Sequence, residues 1–369
     1  MTRARVAVLR TSPATVLDDY RALMEMADYR RFLPADRDTL VKLNLSWTKY
    51  FPACSSEPWQ VEGVVRTLVE GGFPASRLLP VENKTVVTNP RKGARANRWL
   101  PVLEKYGLGF TPLPEVEWTV HRFESPLLKL NEIFPEGIQI PKMFVGKNVL
   151  HLPTVKTHGH STTTGAVKNA FGGLLKEVRH YAHKYIHEVL VDLLYMQREI
   201  HPSLFCVMDG TVCGNGAGPR TMVPCVKNLI LAGGDSVAID SVAARLMGFD
   251  PLSIPYIRMA HERGLGVGDP SEIEVAGEDV SGLDFGFKTR RSFVIWGDQM
   301  IRKGFLRSLE RILLHSPLVV WAPFASNVYH DLMWYPTIGR RRIRRFMTTE
   351  WGALWKSYGV GPQKVTDNK

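Results

Sequence analysis

The sequence predicts an α/β fold, a mostly parallel sheet with helices on both faces, followed by a basic, mainly helical C-terminal extension. Strand-like runs alternate with single helix-like stretches through residues 1–287, an order typical of a parallel sheet covered on both faces. The chain is 44% hydrophobic and 22% charged, which is typical of a globular protein, and its 369 residues suggest either two domains or one large α/β domain with an appendage. The composition changes at residues 288–369, and we assign the appendage to them.

Six β-rich runs mark the strands; four helical stretches lie between them and a fifth follows the last run. In chain order the strand runs are ARVAVLR, TLVKLNL, RLLPVE, NVLHLP, LFCVMD and NLILAGG. The helical stretches are residues 14–27, PWQVEGVVRTLVEGG, RANRWLPVLEKYG, a long one near 180–199, and DSVAIDSVAARLMG. Residues 112–147 contain several prolines and show no clear period. They are therefore predicted to form an irregular excursion over the surface.

Cysteine content, hydropathy and charge limit the class of protein. Four scattered cysteines do not make a disulfide framework, and no window reaches the eighteen apolar residues of a membrane span. The apolar run near the N-terminus is too short for a signal peptide, so we expect a cytoplasmic protein. Nearly all of the net charge of +11 lies in the extension, which has fifteen Lys and Arg but only five Asp and Glu. Residues 1–287 have 32 Lys and Arg and 31 Asp and Glu, so they are almost neutral.

Polar side chains follow four of the predicted strands. Ligands of open α/β sheets bind beyond the carboxyl ends of the strands, so we expect the four strand ends to share one rim and these side chains to be candidate ligand contacts. They are Lys42 and Asn44 on one strand face, Lys156, His158 and His160 after VLHLP, Asp209 at the start of the loop DGTVCGNGAGP, and Asp235 after NLILAGG. For Asp235 the favoured interpretation is an ordinary helix N-cap.

The stretch KTHGHSTTTGAVKNAFGG is predicted to bind an anion. Thr164 precedes a helical pattern and begins a helix whose free N–H groups face outward. Such a helix end attracts anions. Lys168 and Asn169 lie on the first turns of this helix, and Lys156 lies at the end of the preceding strand. Burial and neighbouring positive charge lower a lysine pKa, which lets one of these lysines act as a base near neutral pH.

Six of the eleven histidines lie between residues 151 and 187. His180, His183 and His187 are spaced i, i+3 and i+7, so they share one face of a helix. Three imidazoles on one face can bind a divalent metal, which is the candidate cofactor. The alternative is a solvated face that contacts water or substrate.

Several segments together resemble the prokaryotic family named domain of unknown function 362. They are KTHGHSTTTGAVKNAFGG, His180, VMDGTVCGNGAGP and AGGDSVAIDSVAARLMGFDP, and KLNL extends the resemblance to about residues 5–280. Leu43 stands where the family usually has proline. Many relatives carry ferredoxin-like four-cysteine clusters, but this sequence lacks those cysteines, so we expect no iron–sulfur cluster of its own. A Lys/His pair with a glycine-rich turn also resembles the nickel-pincer lactate racemases, in which a lysine anchors the cofactor and histidines move the proton.

These residues predict an enzyme that acts on an anionic small molecule, either a carboxylate or a phosphate. Lys156 and Lys168 would hold or activate the molecule, His158 or His180 would transfer a proton, and Asp209 would orient a partner or a metal. The alternative is a non-catalytic ligand-binding or assembly protein, in which the same residues only hold a ligand.

Residues 293–358 interleave aromatic and aliphatic residues with arginines, and five of the nine tryptophans lie there. The apolar runs are too short to span a bilayer. This pattern predicts a peripheral contact with the inner face of an anionic membrane, with tryptophans at headgroup depth and the cluster Arg340, Arg341, Arg342, Arg344 and Arg345 at the lipid phosphates. The alternative is that these helices fold back on the body. Nucleic acid is disfavoured as a partner because residues 312–324 are a long apolar stretch.

Overall fold

The fold is built around one α/β sheet. A computed structural model of the chain describes residues 4–85, 87–176, 182–290, 297, 300 and 321–359. The strands are β1 (Ala4–Arg10), β2 (Thr39–Lys42), β3 (Leu78–Glu82), β4 (Thr111–Pro112), β5 (Trp118–His121), β6 (Ile138–Pro141), β7 (Asn148–His151), β8 (Thr154–His158), β9 (Thr162–Thr163), β10 (Leu204–Ala217), β11 (Thr221–Gly233) and β12 (Ile273–Gly277).

The main sheet is mostly parallel, as the sequence predicts. Its strand order is β12-β1-β11-β10-β7-β2-β3-β4, and β8 pairs with β10 beyond the end of β7. Along this order every neighbouring pair is parallel except the two pairs that β11 makes with β1 and β10. The carboxyl ends of β2, β3, β7, β8 and β10 therefore lie towards one edge of the sheet, where α/β proteins place their ligands.

Helices cover both faces of the sheet. Within the first 290 residues they are α1 (Val16–Met26), α2 (Tyr29–Phe32), α3 (Pro58–Glu70), α4 (Pro90–Ala96), α5 (Trp99–Lys105), α6 (Leu130–Ile133), α7 (Gly165–Leu174), α8 (Ile186–Ile200), α9 (Ser236–Met247) and α10 (Pro255–Glu262). Neighbouring residues of a strand point to opposite faces. Accordingly Val41 packs in the core that includes Tyr20 of α1, whereas Leu40 packs in the core that includes Phe171 of α7.

Two segments predicted as irregular are ordered into strands. Within residues 112–147, β5 and β6 form a two-stranded antiparallel sheet. Most of the predicted loop after Asp209 continues β10, which pairs with β11 as far as Ala217. A Cβ atom at Gly214 would lie 2.4 Å from the Met222 sulfur and 3.0 Å from the Lys156 Cβ. Glycine is therefore needed here for close strand packing and does not mark a turn.

The described part of the C-terminal extension forms one helical rod and one further helix. The rod consists of the helix Trp321–Asn327, the π-helix Val328–Gly339 and the helix Arg340–Phe346. Asn327 and Arg340 have helical backbone angles, so the three parts are continuous. The further helix is Glu350–Ser357.

Tryptophans attach this extension to the body. The Trp334 ring lies 5.9 Å from the Trp47 ring, and Trp351 lies 4.9 Å from Trp59. Trp334 and Trp351 are buried, so the expectation that these two side chains lie at lipid headgroup depth is wrong. The described helices of the extension do pack on the body, as the alternative predicts, but they also expose large apolar side chains such as Phe324 and Leu332; Trp296 lies outside the described residues.

Candidate functional site

Lys156 of β8 is fully buried at the carboxyl edge of the sheet. Its ammonium group donates to Asn44 Oδ1 at 2.5 Å, to the Cys54 carbonyl at 2.7 Å and to Thr154 Oγ1 at 2.8 Å. All three acceptors are neutral groups. Among the described residues no carboxylate lies within 4 Å of this ammonium group. Burial lowers the pKa of Lys156 to about 8, because low-dielectric surroundings disfavour the charged form.

Lys42 of β2 is buried nearby in a different electrostatic setting. Its Nζ lies 3.0 Å from both carboxylate oxygens of Glu82 at the end of β3. A Cβ atom at Gly173 of α7 would lie 3.2 Å from Lys42 Cε, so this glycine lets α7 approach the lysine closely. Glu82 thus compensates the charge of Lys42, and their ion pair links the ends of β2 and β3.

Asn169 of α7 joins the two lysine sites through side-chain hydrogen bonds. Its Nδ2 lies 3.1 Å from the Lys42 carbonyl and 3.3 Å from His151 Nδ1, and its Oδ1 lies 3.4 Å from Asn44 Nδ2. Burial lowers the pKa of His151 to about 3, so this imidazole is neutral. Its Nε2 then carries the proton and donates to Gln197 Oε1 at 2.7 Å. The predicted residues Lys42, Asn44, Lys156 and Asn169 therefore meet in one buried network.

The start of α7 is already occupied by a carboxylate of the protein. Asp240 of α9 accepts from the Ala166 amide at 2.5 Å, from the Val167 amide at 3.2 Å and from the Tyr256 hydroxyl at 2.9 Å. Gly165 has φ +63, and a Cβ atom there would lie 2.2 Å from Asp240 Oδ1. Burial raises the pKa of Asp240 to about 7, while the three donors oppose that rise. The expectation of outward-facing, free N–H groups at this helix start is wrong.

Thr164 precedes α7, as predicted, but its side chain does not cap the helix. Its backbone N–H donates to the Lys156 carbonyl at 3.0 Å. Its hydroxyl is buried and has no hydrogen-bond partner among the described residues. Buried hydroxyl groups nearly always have partners, so this atom is a candidate ligand contact.

His158, two residues after Lys156, has a defined tautomer. Its Nδ1 accepts from the His160 amide at 3.1 Å and from the Ser161 amide at 3.3 Å. Burial, and then the charge of Lys168, lower the pKa of His158 well below its usual range. The ring is therefore neutral with its proton on Nε2, and it can donate a hydrogen bond from that atom.

His158, His160, Lys168 and His183 form a cluster that we call the histidine–lysine cluster. The His160 ring lies 5.9 Å from the His158 ring and 5.7 Å from the His183 ring. Lys168 lies over Phe171 at 5.0 Å, and Phe171 contacts His183. His160, Lys168 and His183 are partly exposed while His158 is buried, so the cluster extends from the surface towards Lys156.

The predicted metal site is divided in the described part of the chain. His183 lies in a short 3-10 turn before α8, and only His187 belongs to the helix. The His187 ring stacks on Tyr256, whereas His183 contacts His160. His180 lies outside the described residues. Among the described residues, the group of three potential metal ligands within 4.8 Å of one another is His261, Asp269 and Glu272, none of which the sequence suggested.

Asp209 is a buried structural carboxylate within β10, not a residue at the start of a loop. Its Oδ2 accepts from the Tyr20 hydroxyl at 2.7 Å and from Trp59 Nε1 at 3.0 Å. Its Oδ1 accepts from the Thr211 amide and hydroxyl at 3.0 and 2.8 Å. Four donors satisfy this carboxylate, and its hydrogen bonds with Tyr20 and Trp59 connect α1 and α3 to the sheet.

Asp235 lies at the opposite edge of the sheet because β11 runs antiparallel to its neighbours. It caps α9 by accepting from the amides of Val237 and Ala238 at 2.9 and 3.0 Å. It also accepts from the Val267 amide at 2.9 Å. The interpretation as an N-cap is confirmed, and the expectation that all four strand ends share one rim is wrong.

Sequence reasoning missed several polar residues beside the site: the buried Glu57, Gln197, Asp240 and Tyr256, and the half-buried Arg220. Asp240 had a recognisable signal, since a charged residue interrupts the apolar helical run SVAIDSVA. Arg220 gave none. Its Nη2 donates to Ser326 Oγ of the rod at 3.0 Å, and its buried Nη1 has no hydrogen-bond partner among the described residues.

Comparison with known proteins gives a family and one distant relative. The family model described as "Domain of unknown function (DUF362)" matches residues 39–245. A "Thylakoid-associated protein" of Synechocystis sp. is 26% identical over 274 residues, which cover 70% of this chain and 79% of the relative. No solved structure matches. Within the described ranges, no helix combines the length and apolar character needed to cross a bilayer.

Proposed function

The chain belongs to the DUF362 family of domains of unknown function, and we propose that it is an enzyme acting on an anionic small molecule at the histidine–lysine cluster together with Lys156, which lies two residues before His158. The observation that carries the proposal is the ammonium group of Lys156, which is fully buried without a carboxylate within 4 Å among the described residues. Burying an unpaired charge is costly. Groups with perturbed pKa values beside a polar cluster are typical of functional sites.

The anion is assigned to the cluster side chains because Asp240 already accepts from the first amides of α7. Lys168 supplies a positive charge at the partly exposed end of the cluster, and His160 and His183 lie beside it. The buried hydroxyl of Thr164 provides a further hydrogen-bonding group. Charge-assisted hydrogen bonds of this kind favour carboxylate and phosphate groups.

Lys156 and His158 have different proposed roles. Lys156, with a pKa of about 8, exchanges a proton with the substrate because both of its protonation states are populated near neutral pH. His158 donates a hydrogen bond from Nε2, since its Nδ1 accepts from two backbone amides. This proposal moves the proton transfer from His158 to Lys156 and leaves the imidazole as a fixed donor.

A binding experiment tests the anion site. Millimolar phosphate or small carboxylates should raise the melting temperature of the wild-type protein. Lys168→Met should weaken binding by about 1–3 kcal/mol, the usual contribution of a hydrogen bond to a charged group. Lys92→Met, which removes an exposed lysine on α4, is the matched control. Equal stabilisation of Lys168→Met and Lys92→Met would rule out a contact between Lys168 and the anion.

A conversion experiment separates the enzyme from the non-catalytic binding protein. Purified protein is incubated with mixtures of phosphorylated and carboxylate metabolites, and the products are followed by mass spectrometry. We expect the wild type to convert one component and Lys156→Met to leave it unchanged. A ligand that stabilises the wild type but is never converted would favour the binding or assembly alternative.

We also propose that the protein attaches peripherally to the inner face of an anionic membrane. The supporting observation is that the C-terminal rod exposes large apolar side chains next to exposed arginines. Apolar residues beside basic ones favour the interface of anionic bilayers. The name of the Synechocystis relative agrees with such a location. Sedimentation with anionic and zwitterionic vesicles at low and high salt tests the proposal, with salt-sensitive binding to the anionic vesicles as the expected result.

A further inference from the structure

We propose that one stripe along the C-terminal rod is the surface that docks on the bilayer. Its apolar half enters the headgroup region, and its arginine half contacts lipid phosphates. The inference rests on the peripheral attachment proposed above and adds the residues and the orientation. We call this surface the docking stripe. It comprises Phe324, Leu332, Met333, Ile338, Arg340, Arg341, Arg344 and Arg345.

The rod has one side against the body and one side towards solvent. The body side carries Ser326, His330, Trp334 and Phe346, all at most 7% exposed. The first three of these are spaced four residues apart, so they occupy one face of the helix. Ile338, four residues after Trp334, borders this side and is 46% exposed, whereas the other residues of the docking stripe occupy positions away from it, on the side towards solvent.

The first half of the docking stripe is apolar and unusually exposed. Phe324 and Leu332 are each 70% exposed, Met333 59% and Ile338 46%. Single exposed apolar residues are common, but four large ones exposed along one continuous helix are typical of an interaction surface.

The second half of the docking stripe is cationic. Arg340, Arg341, Arg344 and Arg345 are exposed. Arg342 instead turns to the body, where its Nη1 donates to the Met222 carbonyl at 2.6 Å. Because the backbone is helical at Arg340, the apolar and cationic halves belong to one uninterrupted helix. The charge complementarity favours a surface that presents phosphates over an apolar layer, which is an anionic bilayer.

Contacts with the body fix the orientation of the docked protein. Trp334 packs on Trp47, and the Trp47 Nε1 donates to Asp331 Oδ1 at 2.7 Å. The rod can therefore contact lipid without leaving the body, and the α/β body should rest on the membrane in one orientation.

Vesicle partitioning of paired variants tests the docking stripe. The full-length protein is sedimented with phosphatidylglycerol/phosphatidylcholine vesicles and with pure phosphatidylcholine vesicles. One variant carries Leu332→Ser and Met333→Ser, and its control carries Val120→Ser and Val145→Ser, which change exposed valines of the body. A second variant replaces the four arginines of the docking stripe with glutamine. Its control replaces four exposed arginines of the body with glutamine: Arg30, Arg31, Arg91 and Arg95.

We expect the serine variant to partition at least tenfold more weakly than its control, and the glutamine variant to lose most of its salt dependence. Melting temperatures equal to that of the wild type would show that the fold is kept. If the wild type binds and both variants match their controls, attachment stands and the docking stripe is overturned. If the wild type binds neither vesicle, the attachment itself fails. Loss of dimerisation without loss of vesicle binding in the serine variant would instead identify a second copy as the occupant.

Discussion

Two lysines at the carboxyl edge of the sheet show how neighbouring residues of one type acquire different roles. Lys42 forms a buried ion pair with Glu82, so its charge is compensated. Lys156 donates to three neutral oxygens. Hydrogen bonds satisfy its protons, but they replace only part of the solvation that the charge loses on burial. Lys156 is therefore the residue at which chemistry is expected.

The depressed pKa of Lys156 predicts a pH dependence of stability. Between about pH 8, the folded pKa, and the ordinary pKa near 10.5, the unfolded chain binds more protons than the folded protein. The free energy of unfolding of the wild type should therefore rise with pH in this window, by on the order of 3 kcal/mol at most. Lys156→Met lacks this contribution. Urea unfolding of both proteins at pH 7.5, 9 and 10.5 measures the difference, and parallel curves would contradict the assigned pKa.

At the start of α7, the protein itself satisfies the backbone amides that the sequence pattern offers to a ligand. Three threonines and a glycine before a lysine-bearing helix are typical of an anion site. Here the anion is the carboxylate of Asp240 from α9, and Gly165 leaves the space that this carboxylate needs. Two helices on the same face of the sheet are thereby joined through a charged hydrogen bond.

Loss of this carboxylate should weaken the contact between α7 and α9. In Asp240→Asn one oxygen acceptor becomes an N–H donor, which leaves one of its three donor partners unsatisfied. Such a loss costs about 1–3 kcal/mol of unfolding free energy. Tyr256→Phe, which removes a single hydroxyl from the same carboxylate, should cost about 0.5–1.5 kcal/mol. Urea unfolding at pH 8 compares the two, and an Asn variant as stable as wild type would show that the contact is unimportant.

At the scale of the whole molecule, the C-terminal extension is part of the folded body in its described portion. Trp351 packs against Trp59 and donates from Nε1 to Asn228 Oδ1 at 2.7 Å. Trp355 stacks on Tyr50 at 4.3 Å. These contacts place apolar side chains of the extension in the same core as α1 and α3. The extension therefore contributes to stability as well as exposing the docking stripe.

Truncation of Trp351 should destabilise the entire protein. Trp351 is 2% exposed, and replacing a buried tryptophan with alanine costs about 3–5 kcal/mol. Leu332→Ala changes a side chain of the rod that is 70% exposed, and it should stay within about 0.5 kcal/mol of wild type. Urea unfolding measures both variants. If Trp351→Ala and Leu332→Ala unfold alike, the packing of the extension contributes nothing to the stability of the body.

Local sequence determined the alternation of strands and helices and the gathering of polar side chains at the carboxyl edge of the sheet. Strand and helix periods are properties of short segments, and parallel strands bring their carboxyl ends to one edge. For this reason Lys42, Asn44, Lys156 and Asn169 could be grouped before the fold was known. The cluster of His158, His160 and Lys168 followed from their proximity in the chain.

Tertiary structure alone decided which polar groups are satisfied and which side chains face outward. Asp240 reaches an amide 74 residues away, and no local pattern specifies so distant a partner. Asp235 lies at the far edge because β11 runs antiparallel to β10 and β1. The pairing of β11 with these strands depends on the whole sheet. Trp334 and Trp351 of the extension are buried against the body for the same reason. A helix has a face for the body and a face for solvent only once the body provides a surface on which it can pack.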